Sequence, residues 1–423
     1  MPSSSVAETS APSTAVASNR ERWLVLGAAF FGWMFDGLEQ AVFPLAGRPA
    51  LQDLLHTTDD KIIGQYFGYI TALFLIGAAL GGFVFGWLGD RFGRVRIMTW
   101  SILTYSIFTG LCYFATGPIQ LGALRFVSAI GMGGEWALGV ALVMEFWPEK
   151  ARPLLAGAIG SAANAGYALI SVMGMFVKIQ PNSWRWVMLA GAAPSLLSLF
   201  IVFFVPESRR WKAAVAKVET HPVREVFSRA MIGKTLLGIA LAAVALMGTW
   251  GSVQWIPTWV NKMVGQQDPH AASTSLLLAA IGAMIGCFAG GLLARQFGRR
   301  WTYFALCLVS WIITTTLFRG FDHYSPLFTV MFGFVGLFTA AFYGWMPLYL
   351  PELFPTRMRA TGQGVCYNFG RIFAAAGVLF QGKLVAAYDG SYARAGAMLV
   401  LVYFVGMVVI WFGPETKGKP LPD

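Results

Sequence analysis

The stretch WMFDGLEQAVF, residues 33 to 43, places two carboxylates, Asp36 and Glu39, inside a long apolar run. Three residues apart on a helix, they project onto one face at about 60° to each other. Two acids this close repel when both are ionised, so one of them is poised to hold a proton. The pair therefore reads as a proton-binding site. Two other readings stay open: a salt bridge to Arg125 that joins two helices, and direct contact with a substrate hydroxyl.

Ionisable residues deep in apolar runs are costly, so they face a cavity or a partner. Arg125 and Glu135 lie in LRFVSAIGMGGEWALGVALVME, and Arg371 lies in TGQGVCYNFGRIFAAAGVLF beside Asn368. Arg125 suits an ion pair or substrate access. Glu135 suits a second proton or a polar substrate ligand, the alternative being a hydrogen bond within helix packing. Arg371 falls about 16 Å into its helix at roughly 1.5 Å per residue. At that mid-depth its planar fork matches a carboxylate and reads as a substrate clamp. At the same depth of the first half, SAANAGYALI offers Asn164 and Tyr167. MGTWGSVQWIPTWV and TAAFYGWMPLYLPE combine Trp and Tyr with Gly and Pro, as discontinuous cavity-lining helices do. They supply Gln254, Trp255, Tyr343 and Trp345 as further substrate-binding candidates.

The histidines, His56, His221, His270 and His323, all fall between the apolar runs, which leaves proton chemistry to carboxylates. Cys112, Cys287, Cys307 and Cys366 have no paired spacing, so neither a disulfide nor a metal site is expected. No cofactor is implied. The chain lacks a G-x-x-x-x-G-K-[ST] loop, so the expected drive is an ion gradient or the solute's own gradient.

These side chains must be positioned by membrane helices. Of 423 residues 57% are hydrophobic and 12% charged, and the mean hydropathy is +0.61. Apolar runs recur at 23–45, 62–86, 97–116, 120–145, 154–177, 184–205, 233–260, 273–294, 301–318, 325–349, 360–382 and 394–412. Each approaches the roughly 20 residues that cross a hydrocarbon core. They are continuous rather than alternating, which excludes an outer-membrane barrel. The first run is too long and too acidic at its centre for a cleaved signal peptide. The net charge of +11 is topology: segments on the side of both termini hold 21 of the 31 Lys and Arg, against 8 on the other side. The positive-inside rule then puts both termini in the cytoplasm of a multi-pass cell-membrane protein, and nucleic acid is not an expected partner.

The chain also repeats itself. EFWPEKAR (Glu145 to Arg152) returns as ELFPTRMR (Glu352 to Arg359), GWLGDRFGRVR at Gly86 returns as GLLARQFGRR at Gly291, and PES at 206 returns as PET at 414. The expected architecture is an all-α membrane protein of twelve transmembrane helices in two six-helix, pseudo-symmetric halves, with a substrate site between them. Its parts are a disordered tail over 1–20, halves over 21–205 and 233–412, a cytoplasmic linker over 206–232 and a tail over 413–423. Gly-flanked turns let helix ends approach closely, and acids with arginines there can pair in one conformation and part in another. Gly86, Asp90, Arg91, Gly93, Arg94, Glu145, Arg152, Glu352 and Arg359 are therefore gating candidates, against the alternative that they are topology charge alone.

With Gly86-x-x-x-Asp90-Arg91-x-Gly93-Arg94-x-Arg96 between the second and third spans, residues 20 to 416 resemble the major facilitator superfamily. The second copy departs from the motif, with Arg295 where the acid would stand. DGLE at 36–39, GGEW at 133–136, EFWP at 145–148 and YNFGR at 367–371 look like the sialate, lactate and metabolite:proton branches. That resemblance implies symport of a small organic anion with protons, by a monomer in lipid. PESRRW and PETKG resemble sugar-porter signatures, so a sugar or polyol carrier is the alternative. A membrane enzyme is not expected, because no nucleophile or metal constellation occurs.

Overall fold

The structure is a computed structural model, and it describes residues 18–176, 181, 183–217, 222–264, 268 and 270–422. Most of the expected N-terminal tail, and part of the linker, lie outside the described residues.

Nine of the twelve spans are single helices: α1 (Asn19–Leu55), α2 (Asp60–Phe92), α3 (Arg94–Leu111), α4 (Pro118–Phe146) and α5 (Arg152–Phe176) in the first half, then four in the second. The sixth span is a pair, α6 (Trp184–Ala190) and α7 (Ser195–Phe204), separated at Pro194. Two short helices, α8 (Arg209–Lys217) and α9 (Pro222–Val226), form the described part of the linker. The seventh span is α10 (Ile232–Gly251) and α11 (Ile256–Val264), joined by a tight turn at Val253–Trp255. Then follow α12 (Ala271–Phe297), α13 (Arg299–Gly320), α14 (Pro326–Leu353) and α15 (Arg359–Ala387), and the last span is α16 (Tyr392–Leu399) with α17 (Val402–Val409). Among the described residues ten spans are long and apolar enough to cross a membrane. The two long helices outside that set are α1 and α15, and they carry Asp36, Glu39 and Arg371.

The seventh span is interrupted as expected, whereas the tenth is not. Helix α14 runs on through Pro347 and Pro351. Pro347 has no N–H for the carbonyl of Tyr343, four residues back. That carbonyl abuts Gly160 of α5, where a Cβ would stand only 2.3 Å from it, so close helix packing covers the freed group.

The halves meet along two pairings, α2 with α15 and α5 with α12. A six-span repeat exchanges these two pairs, so the interface itself carries the duplication. Gly86 of α2 faces the Ala360 carbonyl of α15, and its repeat equivalent Gly291 of α12 faces the Pro153 carbonyl of α5. The PES and PET repeats have the same physical job. Glu207 accepts from the backbone N–H groups of Arg94 and Val95, and Glu415 from those of Arg299 and Arg300. Each thereby caps the exposed donors of a helix start, at its positive end. Both starts follow a glycine at positive φ, Gly93 at 112° and Gly298 at 89°, a conformation that other residues rarely adopt.

Candidate functional site

Twelve spans bring the start of α1 and the end of α17 to one face, here the terminal face; the opposite one is the distal face. At the terminal face Asp90 accepts from the backbone N–H and the hydroxyl of Thr361, at 2.7 and 2.6 Å, across the two halves. Its other oxygen pairs with Arg94 at 2.8 Å. Arg94 also donates to the Thr356 carbonyl at 2.9 Å and to Glu145 at 3.3 Å. Glu145 takes Arg359 of the second half at 3.4 Å and the hydroxyl of Ser208. All four charged side chains are buried. This network joins the two halves at the terminal face.

The second copy pairs Arg299 with Glu352 at 2.6 Å and Thr416 with Glu352 at 2.6 Å. These contacts stay within the second half. Arg295 is exposed, so the network has no second inter-half acid there. Arg91 does not join the first network: it is exposed and lies over the rings of Trp87 and Phe92. Arg152 is buried near Glu149 and Glu352 without a hydrogen bond to its Nε.

Deeper in, the two acids of the opening stretch part company. Glu39 is ion-paired to Arg125 and accepts from Thr109 at 2.6 Å and Ser128 at 3.0 Å. The guanidinium in turn lies over Phe43 and Phe74. This is a nearly satisfied knot of α1, α3 and α4. Asp36 is fully buried, and neither of its oxygens has a hydrogen-bond partner. Gly37 beside it would place a Cβ 2.1 Å from the Ala163 carbonyl, so α5 packs directly on α1 there. The charges that act on Asp36 are Arg371 and Glu39.

Arg371 is likewise buried. Its Nη1 donates to Asn368 at 2.9 Å, its guanidinium lies 5.0 Å from the ring centre of Tyr367, and its Nε is unpartnered. No carboxylate among the described residues lies within ion-pair distance of it. Asn368 donates to the Gly133 carbonyl of α4 at 3.1 Å and so ties the halves together. Tyr367 stacks on Trp136 at 4.2 Å with the planes at 19°, and Trp33 closes the group at 6.2 to 6.4 Å. Glu135 is buried next to this cluster, and both of its oxygens lack partners.

Toward the distal face a cavity of about 70 Å³ is lined by Asn164, Tyr167, Gln254, Thr249, Thr339 and Tyr343, with apolar groups from α12 between them. That volume suits a few waters. Gln254 donates to Tyr167 at 3.4 Å, and Tyr343 to Thr249 at 3.0 Å. Of the other aromatic candidates, Trp255 packs with Leu75, Ala375 and Val378. Trp345 is buried against Tyr303 and Tyr349, and its indole donates to the Arg299 carbonyl. It lies at the helix-end network rather than in the cavity.

Sequence reasoning singled out neither the aromatic trio Trp33, Trp136 and Tyr367 nor the hydroxyl partners Thr109, Ser128, Ser208 and Thr361. Trp136 and Tyr367 do stand inside the motifs GGEW and YNFGR, a signal that adjacency alone makes visible. The cysteines are free and buried. Among the described residues no three His, Cys, Asp or Glu side chains could hold a metal.

A family model described as Major Facilitator Superfamily matches residues 23–296, and one described as Sugar (and other) transporter matches 212–423. A putative metabolite transport protein of Haemophilus influenzae is 29% identical, covering 95% of this chain and 98% of that protein. The cis,cis-muconate transport protein of Acinetobacter baylyi is 29% identical over 84% of this chain and 86% of its own length. A solved structure of the proton:xylose symporter XylE, bound to 6-bromo-6-deoxy-D-glucose, superposes with a TM-score of 0.77 at 17% identity, covering 95% of this chain and 98% of that one. At that identity it shares the fold alone. With the duplicated twelve-helix layout and the family match over most of its length, the chain belongs to the major facilitator superfamily and is a multi-pass membrane transporter rather than an enzyme.

Proposed function

We propose that the protein moves a small organic carboxylate together with a proton, by alternating access between residues 21–205 and 233–412 about the linker 206–232. One observation carries this reading: two buried groups of opposite charge, from different halves, act on each other without forming an ion pair, the Arg371 guanidinium, whose Nε is unpartnered, and the Asp36 carboxylate. When the site is empty, their opposite charges balance. A substrate carboxylate that takes the Arg371 fork strips Asp36 of its counter-charge. A lone buried carboxylate costs several kcal/mol, so Asp36 then takes up a proton. The loaded site is neutral and carries one carboxylate with one proton.

The excess of Lys and Arg at the terminal face supports a cytoplasmic position for both termini. The Asp90, Arg94, Glu145 and Arg359 network is then the cytoplasmic gate, closed here, with Gly86 and Gly93 allowing its close packing. Arg152 and Glu352 hold the repeat equivalent in register. Each chain contains both halves of a site, so a monomer in lipid suffices. The muconate transporter among the relatives supports the carboxylate class. A sugar or polyol carrier is the second reading, favoured by the uncharged polar lining of the distal cavity.

Purified protein in liposomes distinguishes the two. With an alkaline interior, the pH gradient is expected to drive accumulation of a member of a panel of lactate, benzoate and sialic acid, with acidification of the lumen. Accumulation of xylose or glucose with indifference to every carboxylate would overturn the proposal.

A further inference from the structure

Every other buried carboxylate of the first half has an arginine: Glu39 has Arg125, Asp90 and Glu145 share Arg94, and Asp36 feels Arg371. Glu135 has none. The titratable groups that act on it among the described residues are Asp36 from α1 and Tyr105 from α3, whose buried hydroxyl lies beside its carboxylate. Besides Glu135, the groups acting on Asp36 are Arg371, Glu39 and the Gln40 amide; Glu39 is held in turn by Arg125, Thr109 and Ser128.

The position of Glu135 is as informative as its isolation. Its carboxylate fills the notch left by Gly32, where a Cβ would stand 1.7 Å from Oε1. Gly32 precedes Asp36 by four residues, one helical turn, about 6 Å nearer the terminal face at 1.5 Å per residue. Glu135 thus lies one turn below Asp36 along α1, on the terminal-face side. Its neighbours in sequence hold the inter-half contacts at this depth: Gly133 accepts from Asn368, and Trp136 stacks on Tyr367. On the alternating-access reading above, opening of the terminal face would part both contacts and bring water to this level of α4.

We infer that Glu135 is a proton relay between Asp36 and the terminal face, resting as a neutral carboxylic acid. The inference rests on the proton-coupled reading above. A buried acid with no cation is neutral at rest, because ionising it there costs several kcal/mol. In the loaded, opened state Glu135–COOH gives its proton to water at the terminal face, leaving Glu135–COO⁻, toward which the Tyr105 hydroxyl can donate. Asp36–COOH then passes its proton to Glu135–COO⁻, restoring the neutral acid and leaving Asp36–COO⁻. The renewed Asp36 charge draws on Arg371 and expels the substrate carboxylate. One proton leaves for each carboxylate released.

Glu135→Gln keeps the shape and the neutrality but cannot release a proton. Liposomes with this variant are expected to lose pH-driven carboxylate accumulation by roughly a hundredfold, the low end of what a positioned proton-transfer group contributes, while counterflow exchange at equal pH survives. Infrared difference spectra of the substrate-free protein at pH 8 are expected to show a protonated-carboxyl band in wild type that Glu135→Gln lacks. Normal pH-driven accumulation in Glu135→Gln, or loss of counterflow in variant protein that still binds substrate, would overturn the relay. So would an infrared band that is unchanged by the substitution. If Glu135→Gln does not fold, Glu135→Asp is the second variant: by drawing the acid back from Asp36 it is expected to slow accumulation and spare counterflow, and unchanged accumulation there counts against the relay. Wild-type uptake indifferent to pH would overturn the coupling itself and the relay with it, which separates the two failures.

Discussion

The terminal-face gate gives the sharpest quantitative expectation. Glu145 is ion-paired to arginines of both halves, Arg94 and Arg359, and all three side chains are buried. Glu145→Gln keeps the shape and removes the charge, leaving two buried guanidinium groups short of a counter-ion. Breaking a buried pair in this way costs about 3–5 kcal/mol. That cost falls on the closed state, because opening returns the same groups to water. Reversing a 99:1 equilibrium takes about 5.5 kcal/mol and reaching parity about half of that, so the substitution carries such an equilibrium past parity toward the open state. Gln363 is a suitable reporter. It is fully buried on α15 between the gate and Tyr367, with both amide atoms unpartnered. In a Gln363→Cys background, a membrane-impermeant maleimide applied to the terminal face is expected to label the Glu145→Gln protein about a hundredfold faster, following the population shift. Equal labelling rates in two folded variants would refute the gate.

Arg371→Ala is expected to abolish carboxylate binding in calorimetry. Arg371→Lys, which keeps charge and loses the fork, is expected to weaken it by about 1.5–3 kcal/mol, the worth of one charged hydrogen bond; normal uptake by the Ala variant would remove the clamp. Asp36→Asn mimics the protonated acid and is expected to lose accumulation driven by a pH gradient while keeping counterflow. In wild type, uptake is expected to rise as the pH on the distal side falls, because the proton is taken up there as a co-substrate; a flat profile would contradict the exchange. Glu39→Gln leaves Arg125 buried and unpaired, so it is expected to lower the melting temperature far more than Glu39→Leu with Arg125→Leu together, and the reverse order would remove the helix-joining role.

Hydropathy made the twelve spans legible because span length and apolarity are local properties. The repeat of PES as PET was legible too, yet its meaning was not: Glu207 and Glu415 each cap a helix that starts more than 110 residues away, as the separations of 113 and 116 residues show. The same limit hid the hydroxyl partners. Thr109 reaches Glu39 across 70 residues and Thr361 reaches Asp90 across 271. Periodicity states which residues share a face of one helix, but not which faces meet. Asp36 and Glu39 share a face by spacing, and packing still gave them different surroundings, because Ser128 and Arg125 of α4 meet only the second. Proline in span ten misled in the other direction, since Gly160 of a different helix covers the carbonyl that Pro347 leaves free.

The duplication and the chemistry divide the molecule differently, and that division explains how coupling can arise. The capped helix starts, the glycine approaches and the paired α2–α15 and α5–α12 contacts occur twice, with both copies of the caps and the glycine approaches at the terminal face. The central charges occur once. Arg371 stands in the second half where the first half has Asn164 at a sequence offset of 207, and the acids Asp36 and Glu135 stand in the first half alone. A symmetric frame by itself would rock with any occupant. In the proposed exchange the acid and the guanidinium lie in different halves, so each closure would have to bring together a set of charges that sums to nothing. Empty, Asp36 answers Arg371. Loaded, the substrate answers Arg371 and a proton answers Asp36. A substrate without the proton leaves one uncompensated negative charge in a dry interface, at a cost of several kcal/mol. Since each 1.36 kcal/mol of added barrier slows a step about tenfold, the slipping cycle is suppressed by orders of magnitude.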